Sequence, residues 1–189
     1  MPDKPAVLNY SDLWLKFGFL TAEELDEQIK IFETSDDKST ERYRYASFRK
    51  YLNSRGELTD DEINKYLHLA EIDEDEMMAC AAVVDLLCHR NLTDFQFEKI
   101  RDALGLYGKW TEKVISREIL FRKFRKAMGT EGVLTEDVFQ EFIYQGNADI
   151  HRFLIWYADK NQLKLIAEKG ASKAVRNIAK QMLRSRKFR

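Results

Sequence analysis

The chain repeats one helix-start pattern four times. A leucine followed by a threonine opens each copy, at residues 20, 58, 92 and 134, and apolar residues at helical spacing follow. A threonine just before a helix can accept a hydrogen bond from a free backbone N–H of the first turn. The residue four places after each threonine is apolar, so it can pack on the leucine as a hydrophobic staple. The spacings of 38, 34 and 42 residues predict four related helical units.

Three of the four copies also carry a capping box. Glu24, Glu62 and Gln96 lie three residues after their threonines and can bond back to the backbone, whereas the fourth copy has Val138 there. With the apolar spacing between these starts, the pattern predicts helices over residues 11–18, 22–33, 40–54, 60–71, 74–89, 94–104, 112–128, 136–145, 148–158, 161–169 and 173–185. We see no convincing alternating segment of the kind that predicts a strand.

Two further helix starts follow the same logic. Asp73 is predicted to cap the helix after it, with Glu76 closing the box and Ile72 packing on Met77. The pair at residues 110–111 is predicted to open a helix with Ile115 as its staple. In residues 77–88, 11 of 12 side chains are hydrophobic and Asp85 is the exception. A helix that is apolar nearly all round must be covered on several sides, so we expect this segment near the middle of the fold.

Paired helices at this period predict an all-α fold, and more narrowly an α-solenoid of stacked helix pairs that could form a right-handed superhelix. We expect a single helical-repeat domain over residues 1–189, with units near 20–56, 58–91, 92–133 and 134–189. The chain has only 8 Gly and 2 Pro among 189 residues, which favours helices. Five glycines stand where helices should stop and could take the left-handed closing conformation: Gly56, Gly105, Gly129, Gly146 and Gly170.

The C-terminal stretch at residues 165–183 resembles a HEAT-type repeat. The shared features are a short helix, a turn, the pair Val175-Arg176, an alanine three residues after that arginine, and Leu183 four residues further. Residues 148–153 look like a poorer copy, so the close resemblance covers residues 148–183. Earlier units resemble the family by period and capping alone, and variant leucine-rich and armadillo-like arrays stay open as alternatives.

The resemblance implies a protein-binding scaffold. Some HEAT-like proteins are DNA alkylpurine glycosylases, which use aromatic and acidic residues in a concave groove, but no motif of this chain aligns with theirs. Other signatures of catalysis are also missing: the sequence has no Walker phosphate loop, G-x-G-x-x-G, H-E-x-x-H, C-x-x-C or G-x-S-x-G motif. We therefore expect a protein without enzymatic activity and without a cofactor.

Two clusters are weighed as metal sites. Asp85, Cys88 and His89 fall on one helix face and offer three ligand types, but no second set of ligands is evident. We favour the simpler interpretation, a buried helix in which Asp85 is hydrogen-bonded and Cys88 acts as a small hydrophobic residue. The acidic run at residues 71–76 lacks the glycine and loop order of an EF-hand, so we interpret it as a capped helix start. We expect no metal at either place.

Charge is uneven along the chain, although the net charge is −1. Residues 1–90 carry 20 acidic and 11 basic side chains, and residues 91–189 carry 12 acidic and 20 basic ones. A basic end can attract nucleic acid, an anionic membrane or an acidic protein, although cations near a helix C-terminus also occur on simple solvated faces. No apolar run is long enough for a membrane span and no signal peptide is recognisable, so we expect a cytoplasmic protein with reduced thiols.

Aromatic side chains interleave with cations in two segments, residues 42–51 and 117–126. Arginine and aromatic residues together favour interfaces and can stack on bases, yet at helical spacing core packing is the simpler interpretation. Phe153, Trp156 and Tyr157 are likewise predicted to belong to the core, with a tyrosine or tryptophan tip at the surface.

These observations predict a helical-repeat module that binds another protein, for example a small bacterial adaptor or a toxin-neutralising (immunity) protein. Candidate contact residues for a partner protein or a nucleic acid are Arg42, Arg44, Arg49, Lys173, Arg176, Lys180, Arg184 and Arg186. The alternatives are nucleic-acid binding through the basic C-terminal half, with Lys160, Lys164 and Lys169 added to those C-terminal cations, and a HEAT-like DNA glycosylase.

Overall fold

The computed structural model describes residues 4–129 and 132–185, and these residues form helices without any strand. The helices are α1 (Leu13–Lys16), α2 (Ala22–Thr34), α3 (Glu41–Asn53), α4 (Asp60–Glu71), α5 (Glu76–Leu87), α6 (Asp94–Gly105), α7 (Glu112–Met128), α8 (Glu136–Gln145), α9 (Ala148–Tyr157), α10 (Lys160–Lys169) and α11 (Lys173–Arg184). Two short 3₁₀ segments cover Pro5–Leu8 and Lys109–Thr111. The all-α prediction is therefore confirmed. None of the described helices is both long and apolar enough to cross a bilayer.

The four repeated helix starts form as predicted. The hydroxyls of Thr21, Thr59 and Thr93 each accept a backbone N–H three residues on, and the side chain at that position bonds back, which completes three capping boxes. Thr135 caps α8 through the N–H of Val138 without a returning bond, because valine has no acceptor. These caps satisfy backbone donors that would otherwise lack partners in the first turn.

Some local predictions are wrong. Asp75, not Asp73, caps α5 by accepting the N–H of Met78 at 2.8 Å. Among the five glycines expected to close helices in the left-handed conformation, only Gly129 has a positive φ, of 63°. At Gly146 the requirement is space, because a Cβ there would come within 2.3 Å of the carbonyl oxygen of Phe142.

The chain divides into two compact units, Met1–Ile115 and Ser116–Arg189, so the boundary falls within α7. It also falls inside the predicted third repeat at 92–133. The first unit carries 24 acidic and 15 basic residues, a net charge of −9, and the second carries 8 acidic and 16 basic residues, a net of +8. The organisation as one repeat domain stays a prediction.

Helix α5 is the centre of the first unit. It packs against α3, α4 and α6, and α4 also packs against α6. Its buried side chains include Met78, Val83, Leu86 and Leu87, which confirms that the most apolar segment is covered on several sides. The remaining core is rich in aromatic rings, with Trp14 and Phe48 at 4.5 Å between ring centroids. Burial of such large side chains is the main favourable term for folding.

A buried ion pair crosses this core. The guanidinium of Arg44 on α3 donates from Nε and Nη2 to the two carboxylate oxygens of Asp73 at 2.7 and 3.0 Å. Its Nη1 donates to the carbonyl oxygen of Leu8 at 2.9 Å and to the hydroxyl of Thr40 at 3.1 Å. Both charged side chains are only 2% exposed. The pair joins α3, the α4–α5 turn and the N-terminal 3₁₀ segment.

The second unit contains two successive helix pairs, α8–α9 and α10–α11. Helix α10 packs against α8, and α11 packs against α9. Buried His151 on α9 connects the pairs, since its Nδ1 accepts the N–H of Ala171 at 2.9 Å. Burial lowers the pKa of His151, an effect that the backbone carbonyl groups of Phe142 and Ile143 partly offset.

Candidate functional site: an aromatic groove on the second unit

A shallow groove of about 380 Å³ lies between α7 and α9, and we call it the aromatic groove. Its main lining residues are Arg117 and Phe121 from α7 and Asp149, Arg152, Phe153 and Trp156 from α9. Residues 117 and 121 are one helical turn apart, and residues 149, 152, 153 and 156 share one face over two turns, so each helix turns one face to the groove.

The floor of the aromatic groove is held by ring contacts. Phe121 and Phe153 meet edge to face with centroids 5.1 Å apart. Below them, buried Phe124 contacts Phe153 and Tyr157, in each case at 6.4 Å. Edge-to-face packing of this kind fixes ring orientation and adds to the stabilisation from area burial. These contacts therefore fix the orientation of Phe121 and Phe153.

The prediction that the α9 aromatics belong to the core is wrong. Trp156 is 69% exposed, Tyr157 48% and Phe153 38%. Helix α9 is apolar on two faces, and the face that contains Ile150 and Leu154 takes the core position. Periodicity shows that both faces are apolar but cannot tell which one the neighbouring helices cover. The unburied face is the stronger functional signal, because clustered exposed aromatics are uncommon on a surface that only contacts water.

Charged groups surround the rings. Arg152 lies 3.7 Å from Asp149, an exposed contact of small energetic weight. Buried Glu118, which also lines the groove, pairs with Arg125. Arg117 makes neither an ion pair nor a hydrogen bond within residues 4–129 and 132–185, so its charge is available to a ligand. The groove thus combines exposed rings with an uncompensated cation in a unit of net charge +8.

The predicted contact residues on α3 separate into different environments. Arg44 lies in the core ion pair, a position that does not suit contact with a partner or a nucleic acid. Arg42 is exposed, donates to Asp37 at 2.6 Å and lies over the Tyr43 ring at 4.7 Å. Arg49 is exposed and lies 3.6 Å from Asp85. The α3 residues belong to the first unit and the remaining candidates to the second.

The C-terminal candidate contact residues lie on α11 or follow it in the sequence. Lys173, Lys180 and Arg184 are exposed. Arg176 is half-buried and donates to the carbonyl oxygen of Gly170 at 2.6 Å, so it closes the α10–α11 turn in addition to carrying charge. Arg186 lies outside the described residues. The exposed members form a basic strip on the outer side of one helix.

Several of the candidate metal ligands have structural roles instead. The hydroxyl of Tyr45 donates to Asp85 at 2.9 Å, as the hydrogen-bonded interpretation predicts. In the acidic run, Asp73 belongs to the core ion pair and Asp75 caps α5. Within residues 4–129 and 132–185, no group of three or more His, Cys, Asp or Glu side chains is placed to hold a metal ion. Burial raises the pKa of Cys80 to about 11, so this thiol is a poor nucleophile at neutral pH.

Two cavities of the first unit were not expected from the sequence. One, of about 380 Å³, has apolar walls that include Leu67, Val83 and Leu106, with Glu71 and Glu76 at its edge. The other, of about 410 Å³, gathers three arginines where α3 and α5 end, and we call it the arginine pocket. The only sequence signal for the arginine pocket is that a basic residue follows shortly after each of two helices. Basic residues are common at helix C-termini in general, so this signal is weak.

Comparisons with models of protein families, with curated proteins and with solved structures find no match to this chain.

Proposed function

We propose that the protein is a non-enzymatic helical-repeat module that binds another protein through the aromatic groove. The observation that carries the proposal is the exposure of Trp156 and Phe153 beside Arg117 and Arg152. Tryptophan, tyrosine and arginine are the residues most enriched at binding hot spots, because they combine large apolar area with a polar or charged tip.

The packing order supports the repeat part of the proposal. In the second unit, each helix of the pair α10–α11 packs on the helix two places earlier in the chain, α8 or α9. In the first unit, α5 packs on α3 and α6 on α4 in the same order. Contact between alternate helices is how stacked pairs form an α-solenoid and leave one long face for recognition. On this basis we propose a HEAT-like packing of helix pairs for both units, and not only for residues 148–183.

The chemistry of the groove favours an acidic partner segment with an apolar anchor. An aliphatic or aromatic side chain would pack on Phe153 and Trp156, where it would exclude water from both surfaces. Carboxylates on the same segment would pair with Arg117 and would be attracted from a distance by the net charge of +8 of this unit. An amphipathic helix with apolar residues three and four positions apart offers such an arrangement.

A peptide-display selection tests the proposal. We expect the full chain to enrich acidic sequences that contain an aromatic or leucine anchor. Replacing both Trp156 and Phe153 by alanine should weaken the selected peptides by about 30-fold, the effect of losing a hot spot worth 2 kcal/mol. The matched control is Tyr144→Ala, since Tyr144 is 68% exposed in the same unit but does not line the groove. Equal affinities for the double variant and the native chain would contradict the proposal, as would a selection that yields no binding sequence.

Nucleic-acid binding is a second candidate, favoured by the exposed cations Lys173, Lys180 and Arg184 on α11. It predicts an affinity for single- or double-stranded DNA that falls steeply between about 50 and 200 mM salt. Replacing Lys173 and Lys180 by glutamine should reduce the salt dependence, whereas Trp156→Ala should leave it unchanged. Absence of binding at 50 mM salt would exclude this candidate and leave the protein-binding proposal intact.

A further inference from the structure

The arginine pocket lies in the first unit, at the point where two helices of the core end together. Arg49 comes from the last turns of α3, and Arg55 and Gly56 follow that helix. Asp85 comes from the last turn of α5, and Arg90 and Asn91 follow its end. The volume of about 410 Å³ is within the range of small-molecule sites.

Cationic side chains outnumber carboxylates in the lining of this pocket. Three arginines line it, against the single carboxylate of Asp85. The C-termini of α3 and α5 each contribute about half a negative charge, which explains part of the clustering. The carboxylates of Asp85 and Glu62 each lie 3.6 Å from one of these arginines, Arg49 and Arg55 respectively, whereas Arg90 pairs with neither.

The three guanidinium groups differ in how far they are already engaged. Arg49 lies 3.6 Å from Asp85, and Arg55 lies 3.6 Å from Glu62 and over the ring of Tyr51. Both arginines are exposed and both distances are long for an ion pair, so a better acceptor can replace these contacts at small cost. Arg90 is exposed and makes no ion pair or hydrogen bond to any residue that the structure describes. It is the cation most available to a ligand.

We propose that the arginine pocket binds an oxyanion of the phosphate class, with Arg90 as its principal contact and Arg49 and Arg55 as supporting contacts. A guanidinium presents two parallel N–H donors that match the oxygen spacing of phosphate, so this residue type suits the ligand better than lysine would. The amide of Asn91 adds a polar wall; its Nδ2 already donates to the carbonyl oxygen of Gly56 at 2.6 Å, which fixes its orientation.

The phosphate could be free or carried by a larger molecule, and the volume leaves room for an attached group. The shared chemistry is a terminal phosphate group with at least three unesterified oxygens. Its two sources are a phosphorylated serine of a peptide and a small phosphorylated metabolite such as a mononucleotide. The site is in a different unit from the aromatic groove, so the two proposals stand or fall separately.

Titration calorimetry on the full chain tests the proposal, with inorganic phosphate, a phosphoserine peptide and a mononucleotide as probes at constant ionic strength. We expect saturable binding at or below about 1 mM for at least one probe. The variant Arg90→Ala should weaken it about tenfold or more, the usual effect of removing a charge-assisted hydrogen bond. The probe with the highest affinity identifies the source of the phosphate.

The matched control is Arg101→Ala. Arg101 belongs to the same unit and pairs with Glu98 and Asp102 on the surface of α6, outside the pocket. Binding should be unchanged in this variant. Loss of affinity in both variants would mean that only the general charge of the unit matters and would overturn the proposal. Failure of all three probes to saturate would overturn it equally, without any bearing on the aromatic groove.

Discussion

Replacing Arg44 by methionine should destabilise the first unit strongly. The change removes two hydrogen bonds to Asp73 and one each to the carbonyl oxygen of Leu8 and the hydroxyl of Thr40. Methionine is of similar length and fills much of the space, so cavity formation is a minor part of the cost. The main cost is the carboxylate of Asp73, which is 2% exposed and would stay buried without a counter-charge. Breaking a buried pair in this way costs about 3–5 kcal/mol.

Urea denaturation followed by circular dichroism measures this cost. A slope of about 2 kcal/mol per molar urea converts 4 kcal/mol into a midpoint about 2 M lower. Of the three tryptophans only Trp14 is buried, whereas Trp110 is 50% and Trp156 69% exposed, so the change in tryptophan fluorescence should come mainly from Trp14 and report unfolding of the first unit. The surface variant Arg101→Ala serves as the control and should change stability by less than about 0.5 kcal/mol.

A double-mutant cycle separates the pair from its surroundings. In Asp73→Asn the side chain still accepts the N–H of Asp75, which the carboxylate accepts at 2.9 Å. The double variant Arg44→Met with Asp73→Asn contains no unpaired charge, so its cost should be clearly smaller than the sum of the two single costs. If Arg44→Met alone lies within 1 kcal/mol of the native chain, or if the costs simply add, the role assigned to this ion pair is refuted.

The remaining predictions concern helix ends and one histidine. Thr59→Ala should cost about 1 kcal/mol in urea denaturation, because α4 loses its cap, and Thr59→Ser should restore most of it. Gly146→Ala should cost about 1–3 kcal/mol, since its Cβ would overlap the carbonyl oxygen of Phe142, whereas Gly56→Ala, with open space around the Cβ, should cost less than 1 kcal/mol. Burial lowers the pKa of His151 in the folded protein, so the unfolded chain takes up its proton first as pH falls. The second unit should therefore lose stability below about pH 6.5, and a His151→Gln variant that shows the same loss would contradict this assignment.

The helices could be predicted from sequence because their signals are local. Each Leu-Thr start combines a cap, a staple and an apolar face within about six residues, and all three agree at Thr21, Thr59 and Thr93. The sequence does not identify the cap of α5 correctly, because the run at residues 71–76 contains several acids that could each begin a helix. Because Asp75 caps α5, Asp73 can pair with Arg44, which lies 29 residues away in the sequence. No local sequence pattern indicates such a contact.

The candidate sites depend on which face of a helix remains uncovered. Helix α9 has two apolar faces, and the packing of α8, α10 and α11 against it decides that Trp156 stays exposed. The same limit applies to the cations of α3: Arg42, Arg44 and Arg49 look alike in sequence, yet one is buried in an ion pair and two are exposed. Packing between residues that are distant in the sequence decides which of these side chains are buried and which are exposed. Local sequence patterns do not show that packing.

The coincidence of the unit boundary with the change of charge has a consequence for handling the protein in solution. A nearly neutral molecule that carries most of its acidic excess in one unit and its basic excess in the other can be attracted to further copies of itself. In dilute buffer, the basic part of one molecule attracts the acidic part of the next, and solutions should turn cloudy near neutral pH. Added salt shortens the range of this attraction to about 10 Å at 0.1 M, so the protein should become more soluble as sodium chloride is raised.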